Sequence, residues 1–333
     1  MLRTYLRNGT QLSIAPEPSL SARNSVDAPA VWFDLVNPTV EEDRLVEQHV
    51  GVQIPTREEM QEIEVSARLY QEDGAEYMTI TAVNQLDTDE PATTPITFVL
   101  KGATLVTVRY AEPKAFANFI ARAQKTSAVP CANGEQIMMG LIEALFDRMA
   151  DALERVGTDI DSISRKVFRR KSASKTSNTT VDLQAIIEKI GQDGELLGMV
   201  RESLVSVNRA LVYHTNVEQG DKKGTKEAKA RSKVLYRDVV ALTDQTTFLS
   251  NKINFLLDAT LGLINLQQNQ IIKIFSVAAV VFLPPTLVAS IYGMNFEQMP
   301  ELKWIMGYPW ALGLMVLSAV LPYIYFKRRG WLV

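Results

Sequence analysis

The chain has very few residues of the kinds that bind soft metals or form disulfides. Among its 333 residues there is one cysteine, Cys131, and there are two histidines, His49 and His214. A single cysteine excludes an internal disulfide framework, and three scattered soft ligands do not make a zinc or copper cluster. We therefore interpret these three residues as packing or surface residues.

The chain also lacks an excess of positive charge and the motifs of common enzymes. Residues 1–273 contain 31 basic and 36 acidic side chains, a net charge of −5, which argues against nucleic acid as a partner. There is no phosphate-binding loop of the Gly-x-x-x-x-Gly-Lys type, and no nucleophile–base pair or paired-carboxylate constellation stands out. The sequence therefore predicts neither an enzyme nor a nucleic-acid-binding protein.

The first ten residues, MLRTYLRNGT, do not contain the apolar stretch of about 7–15 residues that a signal peptide requires. Because no signal peptide is predicted, we expect the large polar part of the chain to remain in the cytoplasm.

Two uncharged runs near the C-terminus, residues 274–296 and 304–326, are each 23 residues long. A bilayer core of about 30 Å needs roughly 20 apolar residues in a helix, so we predict a membrane-spanning helical hairpin. The basic residues after the second run place the C-terminus in the cytoplasm as well. The loop between the runs carries two acids, as an external loop should. These flanking residues are Lys327, Arg328 and Arg329 in the tail, and Glu297 and Glu301 in the loop.

Residues 1–110 have the pattern of a mixed α/β domain. Runs rich in β-branched residues predict strands at 31–36, 77–83, 96–100 and 104–108, the last two joined by a tight turn at 101–103. Thr39 and Thr56 begin two capped helices. The acidic turn 87–91 is interpreted either as a solvated loop or as a site for a hard divalent cation, which prefers oxygen ligands.

From residue 113 the apolar residues follow a helical period. They predict a short helix around Phe116, long helices at 134–170 and 181–217, and a helix from Ala228 that continues into the first membrane run. Exposed turns are expected at 171–180 and 218–229. We therefore divide the chain into an α/β domain (1–125), antiparallel helices (126–227), a stalk helix continuing into the membrane (228–292), an external loop (293–303), a second membrane helix (304–326) and a basic tail (327–333).

A line of polar residues follows one face of this last long helix. Its members recur with the 4–3 spacing that a helix presents to its neighbours in a bundle. In one interpretation the hydroxyls only bond back to the preceding turn. In the other the line is the wall of a water-filled pore, and we favour it because aspartate and asparagine are difficult to explain in a coiled-coil core. The polar members are Asp258, Asn265, Asn269, Ser276, Thr286 and Ser290.

The oxygen ligands of this line suit hard cations. Mg²⁺ gives up its water reluctantly, and its hexahydrate is about 7 Å across. The amide oxygen of Asn295, beside the flexible Gly293, suits that hydrated ion. Two helices cannot enclose such a pore, so several copies of the chain must form a ring. Ile272, Phe275 and Leu283 lie beside the line and are candidates for a gate that closes by dewetting.

The pair Pro284-Pro285 lies in the middle of the first membrane run, where it removes two backbone N–H donors. It is either a simple bend or a gating joint.

The C-terminal motifs resemble a known family. The sequence Tyr292-Gly293-Met294-Asn295, followed by the Met-Pro-Glu-Leu of residues 299–302, looks like the signature of CorA magnesium channels of the Gram-negative bacterial type. The resemblance extends through 271–276, 282–290, 303–304, 307–309 and 325–328.

The resemblance implies a funnel-shaped homopentamer with an α/β cytoplasmic domain, a long α-helical stalk and a two-helix transmembrane hairpin in the bacterial inner membrane. Both termini would be cytoplasmic. Gly293, Met294 and Asn295 would form the selectivity ring at the outer mouth. Asp258, Asn269 and Thr286 would line the pore, with constrictions at Ile272 and Leu283.

The same resemblance implies transport of Mg²⁺, and also of Co²⁺ and Ni²⁺, with closure when cytoplasmic Mg²⁺ occupies acidic sites between subunits. The stalk position at which a relative has a sensing aspartate is apolar here, near Val234. The remaining candidates for the regulatory acids are Asp87, Asp89, Glu90 and Asp238. Two other functions stay open: a zinc transporter of the same superfamily, and a membrane-anchored sensor or scaffold.

Overall fold

The computed structural model describes residues 1–9, 11–15, 30–88, 90–125, 129–168, 183–221, 226–295 and 299–330, without the side chains of 218–229, 301 and 302. The chain divides into two compact units, Met1–Leu256 and Leu257–Val333.

A seven-stranded mixed sheet forms the centre of the first unit. Its strand order is β2-β1-β3-β7-β6-β5-β4. Strands β3 and β7 pair in parallel, and the other neighbouring pairs are antiparallel. The strands are β1 (Leu2–Asn8), β2 (Gln11–Ile14), β3 (Ala30–Val36), β4 (Leu69–Glu72), β5 (Ala75–Asn84), β6 (Ala92–Lys101) and β7 (Thr104–Arg109).

The four strands predicted from the sequence are confirmed as β3, β5, β6 and β7. The tight turn between β6 and β7 is also confirmed, with Gly102 in the left-handed region at a φ of 59°. Strands β1, β2 and β4 were not predicted. The two edge strands, β2 and β4, are only four residues long, and β1 contains two arginines, so none of them has a long apolar run.

Both predicted helix caps are present. Helix α1 (Val40–Val50) begins with a capping box in which Thr39 and Glu42 satisfy each other's backbone amides, and α2 (Arg57–Met60) begins with the same arrangement of Thr56 and Glu59. Helix α3 (Val65–Arg68) is a single turn. The predicted helix around Phe116 is α4 (Lys114–Lys125).

The long helices are α5 (Gly134–Phe168), α6 (Leu183–Asp221), α7 (Lys226–Tyr292) and α8 (Gly307–Arg328), with a 3₁₀ turn at Pro300–Lys303. The predicted turn at 171–180 lies outside the described residues. The turn predicted at 218–229 is too long, because α6 runs to Asp221 and α7 begins at Lys226. Lysine, glutamate and alanine occupy residues 226–230, and their high helix propensity favours the early start of α7.

Helices α5 and α6 pack on the sheet at short distances. A Cβ on Gly134 would lie 2.5 Å from the backbone nitrogen of Leu105 in β7, so only glycine allows α5 to start there. In α6, Ser206 accepts a hydrogen bond of 2.9 Å from the Thr81 amide and donates one of 3.2 Å to the Thr81 carbonyl. These contacts fix the helices on the sheet.

The residues interpreted from the sequence as packing residues include two that are buried. Cys131 is 2% exposed, and burial raises the pKa of its thiol to about 11. His214 is also 2% exposed, and its Nδ1 lies 2.7 Å from a carboxylate oxygen of Glu76 in β5. His214 therefore joins α6 to the sheet.

Candidate functional site

The second unit contains the end of α7 and all of α8, and both helices are long and apolar enough to cross a membrane. Their most apolar windows have mean hydropathies of 2.2 and 1.6. Only 6% of each window is buried within the chain. A helix in the core of a soluble protein would be mostly buried, so these two apolar surfaces require lipid or other copies of the chain as their environment.

Along this part of α7 some residues are covered within the hairpin and others are exposed. Val277 is 4% exposed, and on α8 Ala311 is 6% exposed. Near the basic end of α8, Val280 borders the same cleft as Leu321 and Phe326, so the two helices lie side by side there.

The residues predicted to line a pore all lie on an exposed part of α7. Because α7 is continuous through Pro284 and Pro285, the 4–3 spacing places the predicted residues on one face. The apolar gate candidates are exposed beside them, with Phe275 at 72%. The exposed polar residues are Asp258, Asn265, Asn269, Ser276, Thr286 and Ser290, and the other gate candidates are Ile272 and Leu283.

Two hydroxyls of this face bond back to the helix. Ser276 Oγ donates to the Ile272 carbonyl and Thr286 Oγ1 to the Phe282 carbonyl, each at 2.8 Å. This is the local bonding that the first interpretation predicts. These bonds leave both hydroxyls able to accept hydrogen bonds, because a hydroxyl that has donated its proton still has lone pairs on its oxygen. Both positions therefore offer acceptor oxygen, which suits a cation or the protons of its water shell.

The turn after α7 is held by two local backbone hydrogen bonds. The Gly293 amide donates to the Ala289 carbonyl at 2.9 Å, and the Met294 amide donates to the Ile291 carbonyl at 3.3 Å. Gly293 does not adopt a positive φ. A Cβ at this position would lie 3.1 Å from the Ala289 oxygen, so the turn leaves little room for a larger residue.

Asn295 is exposed directly after this turn. The C-terminal end of a helix carries a partial negative charge of roughly half a unit from its unpaired carbonyls. The turn at Gly293, Met294 and Asn295 lies at that end of α7. Helix dipole and side-chain amide therefore both favour a cation at the same place, without the full negative charge that would hold a dication too tightly.

A family model described as "CorA-like Mg2+ transporter protein" matches residues 27–328. The chain belongs to this CorA family. It is 37% identical over 303 residues to the magnesium transport protein CorA of Escherichia coli K12, covering 91% of this chain and 92% of that one. The corresponding protein of Yersinia pseudotuberculosis is 35% identical over 306 residues, covering 92% and 93%.

Solved structures of CorA-type proteins share the fold. The complete CorA magnesium transporter from Methanocaldococcus jannaschii matches with a TM-score of 0.70 at 19% identity, over 100% of this chain and 99% of that one. The ZntB cytoplasmic domain from Vibrio parahaemolyticus matches with a TM-score of 0.54 at 8% identity, over 79% and 98%. The α/β unit, the long helix and the two membrane helices are thus a CorA architecture. CorA proteins are transporters, which agrees with the lack of enzyme motifs.

Of the regulatory acids proposed from the CorA resemblance, Asp87 already has cationic partners within its own chain. Asp87 lies 2.6 Å from Arg148 and 2.8 Å from Lys114. Hydrogen bonds from these two cations lower its pKa to about 2. Asp87 therefore ties the turn after β5 to α4 and α5.

The other proposed acids are Glu90, Asp238 and Asp89. Glu90 and Asp238 are exposed, whereas Asp89 lies outside the described residues. Among the residues that the structure describes, no group of three or more histidine, cysteine, aspartate or glutamate side chains is arranged to hold a metal ion. Glu297 and the side chain of Glu301, in the loop predicted to be external, also lie outside the described part of the chain.

Proposed function

We propose that this CorA-family chain is a channel for Mg²⁺ through which the ion enters passively, driven by the membrane potential. The observation that carries the proposal is the exposed oxygen-bearing face of α7, which ends at the turn of Gly293, Met294 and Asn295. A potential of 100 mV contributes about 2.3 kcal/mol per charge, or about 4.6 kcal/mol for a dication. This energy is sufficient for uptake without a coupled ion or nucleotide.

Selection occurs at the outer turn in this proposal. Asn295 meets the ion while its water shell is intact, and the amide oxygen accepts hydrogen bonds from the bound water. Mg²⁺ favours such a site because it dehydrates reluctantly. Co²⁺ and Ni²⁺ also form hydrated dications and are expected to pass. Glu297 and Glu301 in the external loop would attract cations toward the mouth.

The pathway requires several copies of the chain, and we propose a pentamer with the polar face of α7 turned inward. One hairpin cannot enclose a hydrated ion, and its apolar surface is almost entirely exposed. Lys327, Arg328 and Arg329 then lie on the cytoplasmic side of the bacterial inner membrane, with both termini in the cytoplasm.

Closure is proposed to occur at two levels. Ile272, Phe275 and Leu283 would form the apolar constriction that excludes water. Cytoplasmic Mg²⁺ would favour the closed state by binding acids on neighbouring chains, for which Glu90, Asp238 and Asp89 are better candidates than Asp87. Asp87 already has three cationic partners within its own chain, Lys114, Arg148 and Arg155, and Mg²⁺ would have to displace them.

Ion uptake by the full-length chain in proteoliposomes tests this proposal. Mg²⁺, Co²⁺, Ni²⁺ and Zn²⁺ are compared under an inside-negative potential, with and without a proton gradient. We expect Mg²⁺ to enter with the potential alone. Zn²⁺ uptake that requires the proton gradient, with Mg²⁺ inert, would instead identify a zinc transporter, whose relatives share the fold at low identity. No uptake of any ion would favour the membrane-anchored scaffold.

A further inference from the structure

An apolar cleft of about 640 Å³ lies between α7 and α8 near the basic end of α8. Val280 borders it on α7, and Leu321, Pro322 and Phe326 border it on α8. Its volume falls within the range of roughly 300–1,000 Å³ that is usual for small-molecule sites. Arg328 is the charged residue among its lining groups. The cleft is therefore amphipathic, with apolar walls and a single cationic group.

The cleft extends from the lipid-tail region to the membrane surface. Leu321 and Arg328 are seven residues apart on one helix, which corresponds to roughly 10 Å along its axis. Arg328 lies in the last turn of α8, next to Lys327 and Arg329, where the positive-inside rule puts the cytoplasmic headgroups. Leu321 then lies well inside the inner leaflet, whose hydrocarbon is about 15 Å thick.

The three basic residues at this end are not equivalent. Arg328 lines the cleft, whereas Lys327 is not among its lining residues. The Arg329 guanidinium lies over the ring of Tyr325, 5.5 Å from the ring centre, and so packs on a residue of the cleft wall. Arg328 is the side chain with the position and chemistry to hold an anionic group at the opening, since its fork of N–H donors matches a phosphate.

From this geometry we infer that the cleft is a binding site for an anionic phospholipid of the inner leaflet. One acyl chain occupies the apolar part between Val280 and Leu321, and the phosphate binds Arg328. Basic pockets between membrane helices on the cytoplasmic side are known to suit acidic headgroups. The inference rests on the proposed orientation of the hairpin, with the basic tail on the cytoplasmic side, but it does not require ion conduction.

Lipid retention by the full-length protein tests the inference. Protein in detergent is equilibrated with equal amounts of dioleoyl-phosphatidylglycerol and dioleoyl-phosphatidylcholine, separated by size exclusion, and the retained lipids are quantified by mass spectrometry. We expect phosphatidylglycerol to be retained preferentially. Arg328→Gln should lower its retention about fivefold, as expected for one juxtamembrane cation. Lys327→Gln makes the same charge change outside the cleft and should have less than half of that effect.

Leu321→Trp is a second variant that fills the apolar part of the cleft and should reduce retention of both lipids without changing the elution volume of the oligomer. Equal losses in the Arg328 and Lys327 variants would overturn the inference, because they would indicate general attraction to the tail. Equal retention of the two lipids by the wild type would also overturn the inference. A changed elution volume of Leu321→Trp with unchanged lipid would show that another copy of the chain covers the cleft. Added inorganic phosphate should not displace the lipid if its acyl chain is bound.

Discussion

At the scale of single residues, the first unit depends on an ion pair buried in its sheet. Asp34 on β3 and Arg109 on β7 are 0% and 1% exposed. Arg109 Nε and Nη2 donate to the two carboxylate oxygens of Asp34 at 2.9 and 2.8 Å, and Thr107 donates to the same carboxylate at 2.8 Å. Trp32 donates in turn to Thr107 at 2.9 Å. All members of this network lie on the two parallel strands.

Removing one partner should be costly because the other charge would remain buried. We expect Asp34→Ala to lower the free energy of unfolding of the first unit by about 3–5 kcal/mol. Urea unfolding of the full-length protein, followed by intrinsic tryptophan fluorescence and by far-UV circular dichroism, would measure the change.

The matched control is Glu112→Gln, which breaks the exposed pair of Arg3 and Glu112 at 3.2 Å. It should change the stability by no more than about 1 kcal/mol. If both variants shifted the urea midpoint by the same small amount, the buried network would not be an important source of stability.

The sequence signal for this network is Asp34 itself. Asp34 interrupts the apolar run of β3, and a charge at such a position requires a buried partner. The identity of this partner depends on the pairing of β3 with β7, which lies more than 70 positions away in the chain. The Gly-Met-Asn turn could be predicted because its residues are adjacent in sequence, whereas the ion pair depends on the tertiary fold.

At the scale of elements, α7 is the feature that the sequence predicted best. Its apolar and polar residues repeat with the helical period over many turns, so the pattern does not depend on any distant contact. The edge strands β2 and β4 lack such repetition. The hairpin was predicted from run length alone, because lipid imposes a minimum length on any helix that crosses it.

The orientation of the polar face of α7 can be tested with cysteine variants. Cys131 is buried with a pKa of about 11, so the native chain should not react with thiol reagents at neutral pH. We expect a charged methanethiosulfonate reagent to block most of the Mg²⁺ uptake of Asn269→Cys and Ser276→Cys, because the adduct would lie in the ion path.

Gln267→Cys is the control for this experiment. Gln267 is also exposed in the single chain, but it lies about half a helical turn away from the polar line. Modification there should leave uptake largely unchanged. Inhibition of Mg²⁺ uptake by modification at position 267, without inhibition at positions 269 and 276, would mean that another face of α7 borders the pathway.

At the scale of the whole molecule, the exposed surfaces of both units indicate assembly. In the first unit, Val234, Phe248 and Phe255 of α7 are 53%, 59% and 61% exposed, and their spacing is seven residues or a multiple of it. This is the spacing of residues that pack between helices of a bundle. In the second unit the oxygen-bearing face is exposed as well. A ring of chains would cover the first surface and place the second around a central conduit.

The number of chains in the ring was inferred from the family resemblance, and the sequence alone does not determine it. Helix periodicity indicates which face meets a neighbour, but the angle between neighbours depends on how whole subunits pack. The regulatory acids are difficult to predict for the same reason. Asp87 was a reasonable candidate from its acidic turn, yet Lys114 and Arg148 reach it from helices that are distant in sequence.

Potential-driven Mg²⁺ uptake by proteoliposomes containing Asn295→Ala tests the central claim most directly. Loss of a hydrogen bond to a charged ligand costs about 1.5–3 kcal/mol, so uptake should fall at least about tenfold relative to wild type. Gln267→Ala, at an exposed amide of α7 about half a helical turn from the polar line, should retain uptake. Both variants should elute from size exclusion at the wild-type volume. Unchanged Mg²⁺ uptake by Asn295→Ala would contradict the claim that this amide selects the hydrated ion.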